Sequence, residues 1–163
     1  MLAPLGRGIH PLELVWDLGG LPLTAAVLFV VGLGRTSRLV LWGVFLAGGV
    51  IELISKHFLV LPLPVGLPTP GGYLRVEHVL NPMFGIHTGS APGDLLRGSF
   101  PSGHLFRLTF TAGALVRRWV WVLPLTALAA VAVVATGGHW VWDALGGFVL
   151  AGGCLEVVQG CEG

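Results

Sequence analysis

Charge and cysteine are scarce in this sequence. Only 9 Lys and Arg and 8 Asp and Glu occur among 163 residues, so 10% of the chain is charged. Soluble domains carry about a quarter charged residues, and this composition argues against an ordinary soluble domain. The formal net charge of +1 creates no global field that would attract nucleic acid. Cys154 and Cys161 are too few for a disulfide framework and match no metal-ligand spacing, so we interpret them as packing residues.

Hydrophobic residues make up 54% of the chain, and the mean hydropathy is +0.85. A helix needs about 20 apolar residues to cross the hydrocarbon core of a membrane. Five apolar stretches approach this length, at residues 15–34, 39–58, 101–116, 119–136 and 139–158. We therefore predict an all-α, polytopic membrane helix bundle with about five transmembrane helices. It forms one domain over residues 1–163, with residues 1–14 as a candidate interfacial segment.

The segment from residue 59 to residue 100 is rich in Pro and Gly and carries several charged side chains. We predict that it is a long loop between the second and third spans. With five spans, the two short turns that carry arginines fall on the same face of the membrane. Clustered arginines in short loops mark the cytoplasmic side, which places the long loop outside. Simple interfacial anchoring is the alternative role for these arginines, which are Arg35, Arg38, Arg117 and Arg118.

Ionisable residues lie at the outward ends of the predicted spans, where an intramembrane charge is costly and indicates a functional site. Glu52 and Lys56 are four residues apart and can pair on one helical face, which could by itself account for both. The Lys56 ammonium can alternatively reach the aqueous surface or a ligand.

His139 and Asp143 are also four residues apart, one turn along a helix. The carboxylate can accept the imidazole N–H and fix the tautomer, which leaves the other ring nitrogen as a nucleophile or base. A buried structural hydrogen bond and metal ligation are the alternatives. No third ligand has a spacing suited to zinc, so we predict neither a metal nor a cofactor.

The stretch Pro101, Ser102, Gly103 and His104 opens the third span. Proline suits the first helical turn, and the amides of Ser102 and Gly103 lack partners within the helix. Such a helix start attracts anions. Gly138, just before His139, contributes a further amide to an opposing concavity. Two histidines, an aspartate, a lysine and these amides together suit a phosphate group.

These residues resemble the motifs of the type 2 phosphatidic acid phosphatase (PAP2) superfamily of membrane lipid phosphatases. Its signature is K-x6-R-P, then P-S-G-H, then S-R-x5-H-x3-D. The second motif is complete here, and the third keeps His139 and Asp143. In the first motif, Lys56 is present, but Leu63 replaces the arginine. In the third motif, Val133 replaces the arginine.

The resemblance implies a metal-independent phosphatase in a multi-pass cell-membrane protein, with its active site on the extracytoplasmic side. His139 would attack phosphorus, Asp143 would orient it, and His104 would serve as general acid and then as general base. The implied substrate is a phosphomonoester or pyrophosphate lipid, of the phosphatidate, phosphatidylglycerol phosphate or polyprenyl pyrophosphate class. The residues expected to bind its phosphate are Lys56, Ser102, Gly103, Gly138 and, in place of the missing arginines, Arg107, Arg97 or Arg75.

Arg107 has an alternative structural role as a partner of Glu52. Two other functions also stay open at this stage. One is a head-group phosphotransferase of the same superfamily, in which a lipid alcohol replaces water. The other is a non-catalytic lipid-binding protein on the same scaffold.

Overall fold

The computed structural model describes residues 18–34, 37–59, 99–135 and 139–162. These residues form helices and connections, with no strand among them, so the all-α prediction is confirmed. The five helices are α1 (Leu21–Leu33), α2 (Arg38–Phe58), α3 (Gly103–Val116), α4 (Trp119–Ala135) and α5 (Val141–Glu162). Outside the described residues lie the predicted segment 1–14, nearly all of the predicted loop 59–100, Arg35, Arg75, Arg97 and Gly138.

Helix α3 is the core of the bundle. Ten of its 14 residues are buried, and it contacts each of the other four described helices. A helix that is apolar on all sides is stable only when neighbours surround it. Its Phe106 and Phe110 side chains pack with Phe45 of α2, at ring-centroid distances of 5.9 and 5.6 Å. These aromatic contacts hold α3 against α2.

Two described helices, α2 and α5, are long and apolar enough to cross a membrane, with 21 and 22 residues. The other three have 13, 14 and 17 residues, fewer than the about 20 that a span requires. Many large apolar side chains nevertheless face outward, including Leu39 at 82% and Val149 at 68% exposure. Extensive apolar surface marks a membrane or partner contact.

The turn before α2 and the ends of α3 and α5 meet at one end of the bundle. The Ser37 hydroxyl hydrogen-bonds the Glu162 carboxylate, and Arg117 forms an ion pair with Glu162 at 2.7 Å. We call this the arginine end. Ser37, in the turn before α2, and Arg117, at the end of α3, therefore lie at the same end of the bundle. The start of α3, the start of α5 and the last turns of α2 lie at the opposite end, which we call the histidine end.

Candidate functional site

His104 and His139 lie side by side at the histidine end. Their ring centroids are 6.4 Å apart, and the ring planes are inclined by 55°. His104 is the second residue of α3, and His139 precedes α5 by two residues. The packing of α3 against α5 thus brings together the two histidines that the sequence predicts to be catalytic.

Asp143 contacts His139 and also caps the start of α5. Its Oδ2 lies 3.4 Å from His139 Nδ1 and accepts the Trp140 backbone N–H at 2.9 Å. Asp143 is the third residue of α5, and Trp140 immediately precedes that helix, so this bond is the acidic half of a capping box. The carboxylate is 1% exposed. The start of its own helix therefore holds the Asp143 carboxylate in position beside His139.

A backbone hydrogen bond ties the two helix starts together. The Ser102 N–H donates to the Asp143 carbonyl at 2.8 Å, and Ser102 Oγ accepts the Leu105 N–H at 3.4 Å. The prediction that the Ser102 amide is available to an anion is therefore wrong. Its partner comes from a distant part of the chain, which the local helix-start pattern does not encode. Gly147 allows this close approach, since a Cβ there would overlap the Ser102 carbonyl oxygen.

Glu52 holds both of the described cations that were assigned to phosphate. Its Oε1 is 2.6 Å from Lys56 Nζ, and its Oε2 is 3.3 Å from Arg107. Arg107 Nε also donates to the Gly19 carbonyl at 3.0 Å. The alternatives raised from the sequence, a Glu52–Lys56 pair and a Glu52–Arg107 pair, are both present. Because two cations share one carboxylate, the three side chains together keep one positive charge.

Glu52 is also the site member whose position sequence reasoning missed. A Cβ on Gly103 would overlap its carboxylate, so Glu52 packs against the first residue of α3. The sequence had predicted a bound anion at this helix start. In the sequence, Glu52 stands out as a carboxylate within an apolar stretch, one turn before Lys56. Its contact with the start of α3 follows only from the packing of α2 on α3.

His139 is 7% exposed. Burial lowers the pKa of His139 below its ordinary value, and the charge of Lys56 acts in the same direction. The Asp143 carboxylate opposes this effect without reversing it. The histidine is consequently neutral at neutral pH, the form in which a ring nitrogen can act as a nucleophile.

Val133, at the arginine position of the third motif, is buried with Leu105 and Ala144 in an apolar cluster. Its carbonyl accepts the His139 N–H at 3.1 Å. This position therefore supplies a backbone contact to the site and no cation. Among the described residues, no group of three or more His, Cys, Asp or Glu side chains has the arrangement of a metal site.

An apolar cleft of about 540 Å³ lies beside the site, between α4 and α5.

The residues of the site offer a neutral imidazole from His139, a second imidazole from His104 that can donate or accept a proton, and two cations.

Comparison of the chain with family models, with curated proteins and with solved structures finds no match.

Proposed function

We propose that this protein is a membrane-embedded phosphatase that hydrolyses a lipid phosphate through a phosphohistidine intermediate. The 6.4 Å separation of the His104 and His139 rings carries the proposal. An attacking nitrogen needs to be about 3–3.5 Å from phosphorus, and a general acid about 2.6–3.2 Å from the leaving oxygen. Two imidazoles at this ring separation can therefore contact one phosphoryl group, one at phosphorus and the other at the leaving oxygen. The motif resemblance to the type 2 phosphatidic acid phosphatase superfamily supports the same chemistry.

In the first step, His139 attacks phosphorus and the bond from phosphorus to the lipid oxygen breaks. Because Nδ1 faces Asp143, Nε2 is the attacking atom. Protonated His104 gives its proton to the departing lipid alkoxide, which leaves as an alcohol. In the second step, His104 takes a proton from water as the water attacks phosphorus. The bond from His139 to phosphorus breaks and inorganic phosphate is released.

Positive groups are needed because negative charge is spread over the phosphoryl oxygens during transfer. Lys56 and Arg107 are the described cations at this end, and the Gly103 amide lies at the same helix start. Their binding to phosphate requires that they divide their hydrogen bonds between the substrate and Glu52. Arg75, Arg97 and Gly138 are further candidates from the sequence.

The membrane placement completes the proposal. The chain crosses the bilayer several times, with the histidine end at the extracytoplasmic surface and the arginine end in the cytoplasm. Trp140 and Trp142, at 40% and 74% exposure, then lie at the outer interface, where tryptophan is common. The lipid tails stay in hydrocarbon while the head group reaches His139 from the side.

The test is phosphate release from lipid phosphates in mixed micelles by the purified wild-type protein and by His139→Ala. We expect release by the wild type and a loss of at least about 10³-fold in the variant, since the residual rate lacks the nucleophile. Glu156→Gln, an exposed change on α5, is the control and should keep full activity. Equal release by wild type and His139→Ala would overturn the proposal. Exchange of head groups between two lipids without phosphate release would instead identify the transferase.

A further inference from the structure

Glu52 is a buried ionisable side chain that takes no part in the phosphoryl chemistry described above. It lies in the second half of α2 and is 6% exposed. Its carboxylate contacts Lys56, Arg107 and the start of α3 at Gly103. All three of these residues are predicted from the sequence to bind the substrate phosphate. Glu52 is therefore an anion of the protein itself that lies among the groups proposed to bind an anionic ligand.

The packing around Glu52 holds its carboxylate in place. Its Oε1 is 2.6 Å from Lys56 Nζ, and its Oε2 is 3.3 Å from Arg107 Nη1. A Cβ on Gly103 would overlap the carboxylate, so Glu52 is in direct contact with the start of α3. Departure of Glu52 would leave two buried cations without their shared counter-charge, which is strongly unfavourable. A phosphate group therefore binds next to Glu52 and does not replace it.

Lys56 and Arg107 have more hydrogen-bond donors than Glu52 uses. An ammonium group has three N–H donors and a guanidinium group has five. Glu52 accepts one bond from each cation, and the Gly19 carbonyl accepts the Arg107 Nε–H. Beyond these bonds, two ammonium and three guanidinium hydrogens are left for a ligand. The donors at this end of the bundle therefore suit a group with several oxygen atoms, such as a phosphate.

The net charge of the same residues is small. Lys56 and Arg107 carry two positive charges, and Glu52 carries one negative charge. Asp143, whose carboxylate lies 3.4 Å from His139 Nδ1, contributes a second negative charge. The four charges sum to zero. The site thus combines many hydrogen-bond donors with little positive charge.

The charges of Glu52 and Lys56 act in opposite senses on the proposed nucleophile. Burial is the main cause of the lowered pKa of His139, the charge of Lys56 lowers this pKa further, and the charge of Glu52 raises it. His139 itself is neutral, and His104 adds one positive charge when it is protonated as the general acid. A phosphate group in contact with both rings therefore meets one net positive charge from the described residues of the site.

Resting on the proposed function, we propose that Glu52 is a specificity-determining residue. It lowers the positive charge of the site, so that a phosphate group with one negative charge binds in preference to a phosphate group with two. A phosphodiester carries one charge, and so does a phosphomonoester that has kept its second proton, which it loses near about pH 6. The preferred substrate class is then a lipid phosphate that binds as a monoanion.

Hexanesulfonate and hexylphosphonate provide the test. Both present three oxygens in the same tetrahedral arrangement, but the sulfonate carries one negative charge and the phosphonate carries two above its second ionisation. Neither contains a phosphate ester bond, so binding is measured without turnover. The measurement is the Kd of each ligand by isothermal titration calorimetry in a nonionic detergent, at a pH above that ionisation. The proteins compared are the wild type, Glu52→Gln and, as an exposed control, Glu156→Gln.

We expect the wild type to bind the sulfonate at least as tightly as the phosphonate. In Glu52→Gln, the preference should move toward the phosphonate by about tenfold or more, because a negative charge close to the ligand is lost. Glu156→Gln should keep the wild-type preference. An unchanged preference in Glu52→Gln, or no binding of either ligand to the wild type, would overturn the proposal.

The wild type by itself can also overturn the proposal, which matters if Glu52→Gln does not fold. Tenfold tighter binding of the phosphonate than of the sulfonate would mean that further cations, with Arg97 and Arg75 as the candidates, complete a site for a doubly charged phosphate. The proposed function fails independently. If the expected preferences are found but no lipid phosphate is hydrolysed, the phosphatase assignment is wrong and the charge selection by Glu52 stands. Phosphate release together with an unchanged preference in Glu52→Gln would retain the phosphatase and remove this role of Glu52.

Discussion

The imidazole of His104, at the start of α3, lies 6.4 Å from that of His139, just before α5. The hydrogen bond from Ser102 to the Asp143 carbonyl fixes the two helix starts against each other, and Asp143 in turn contacts His139. The relative position of the two rings therefore depends on these backbone and side-chain contacts.

Substitutions of His104 and of His139 should block different steps of the reaction. In His104→Ala, a substrate with a good leaving group, such as para-nitrophenyl phosphate, should still phosphorylate His139, because such a leaving group needs little help from a general acid. Hydrolysis of the intermediate should then slow by about 10²–10⁴-fold, the usual contribution of a general base. The acid-labile phosphohistidine should accumulate and map to the peptide that contains His139. Accumulation on another residue, or none in a folded His104→Ala protein, would contradict the assigned roles.

The activity should persist to a lower pH than an ordinary histidine allows. Burial and Lys56 lower the pKa of His139 below 6.5, so the neutral nucleophile survives as the pH falls through that value. The acid limb of kcat should therefore lie below pH 6.5. Asp143 raises the pKa of His139, so Asp143→Asn should reduce kcat and move the acid limb to still lower pH. Because a phosphomonoester itself titrates near pH 6, both proteins are compared on the same substrate. A shift to higher pH in Asp143→Asn would refute the assignment.

Glu52 should weaken anion binding while it stabilises the fold. Glu52→Ala leaves Lys56 and Arg107 buried without their shared carboxylate, and we expect a loss of about 3–5 kcal/mol in the free energy of unfolding. Glu52→Gln keeps an acceptor but removes the negative charge, so inorganic phosphate should inhibit at several-fold lower concentration. Thermal unfolding and phosphate inhibition of Glu52→Gln, with Glu156→Gln as the exposed control, provide the measurements. Weaker inhibition in a folded Glu52→Gln protein would show that the carboxylate is needed to position the cations.

Two glycines of α5 should respond oppositely to the same substitution. Gly147→Ala places a methyl group on the Ser102 carbonyl oxygen, which should separate the two helix starts and lower both the melting temperature and kcat. Gly153→Ala meets no atom within 4 Å and should raise stability by about 0.5–1 kcal/mol, the usual gain in helix propensity. Melting temperatures and phosphate release of the two purified variants are the comparison. Equal effects of both changes would mean that the contact between Gly147 and Ser102 is not formed.

The exposed thiol of Cys161 can show which end of the helix bundle faces the cytoplasm. It lies at the last turn of α5, at the arginine end, whereas Cys154 is buried. With the arginine end in the cytoplasm, a membrane-impermeant thiol reagent should label Cys161 only after the cells are permeabilised. Trp142→Cys, placed in a Cys161→Ser background, should be labelled in intact cells because Trp142 is exposed at the histidine end. The reverse pattern would place the histidine end in the cytoplasm.

The sequence alone determined the helices and the identity of the candidate site. Apolar stretches located all five described helices, and the predicted opening of the third span at Pro101 lies two residues before Gly103, the first residue of α3, with Ser102 as its N-cap. The spacing of Glu52 to Lys56 and of His139 to Asp143 was sufficient to anticipate contacts one turn apart. These features depend on residues within about four positions of one another, the range over which a helix makes its own hydrogen bonds.

The tertiary structure decided which partner each polar group of the site contacts. The packing of α3 on α5 pairs the Ser102 amide with the Asp143 carbonyl, and the packing of α2 on α3 places Glu52 at Gly103 and against Arg107. Helix packing also leaves an apolar cleft beside the site, between α4 and α5. No local pattern contains this information, because each of these contacts joins segments that are distant in the chain and meet only where helix surfaces fit together.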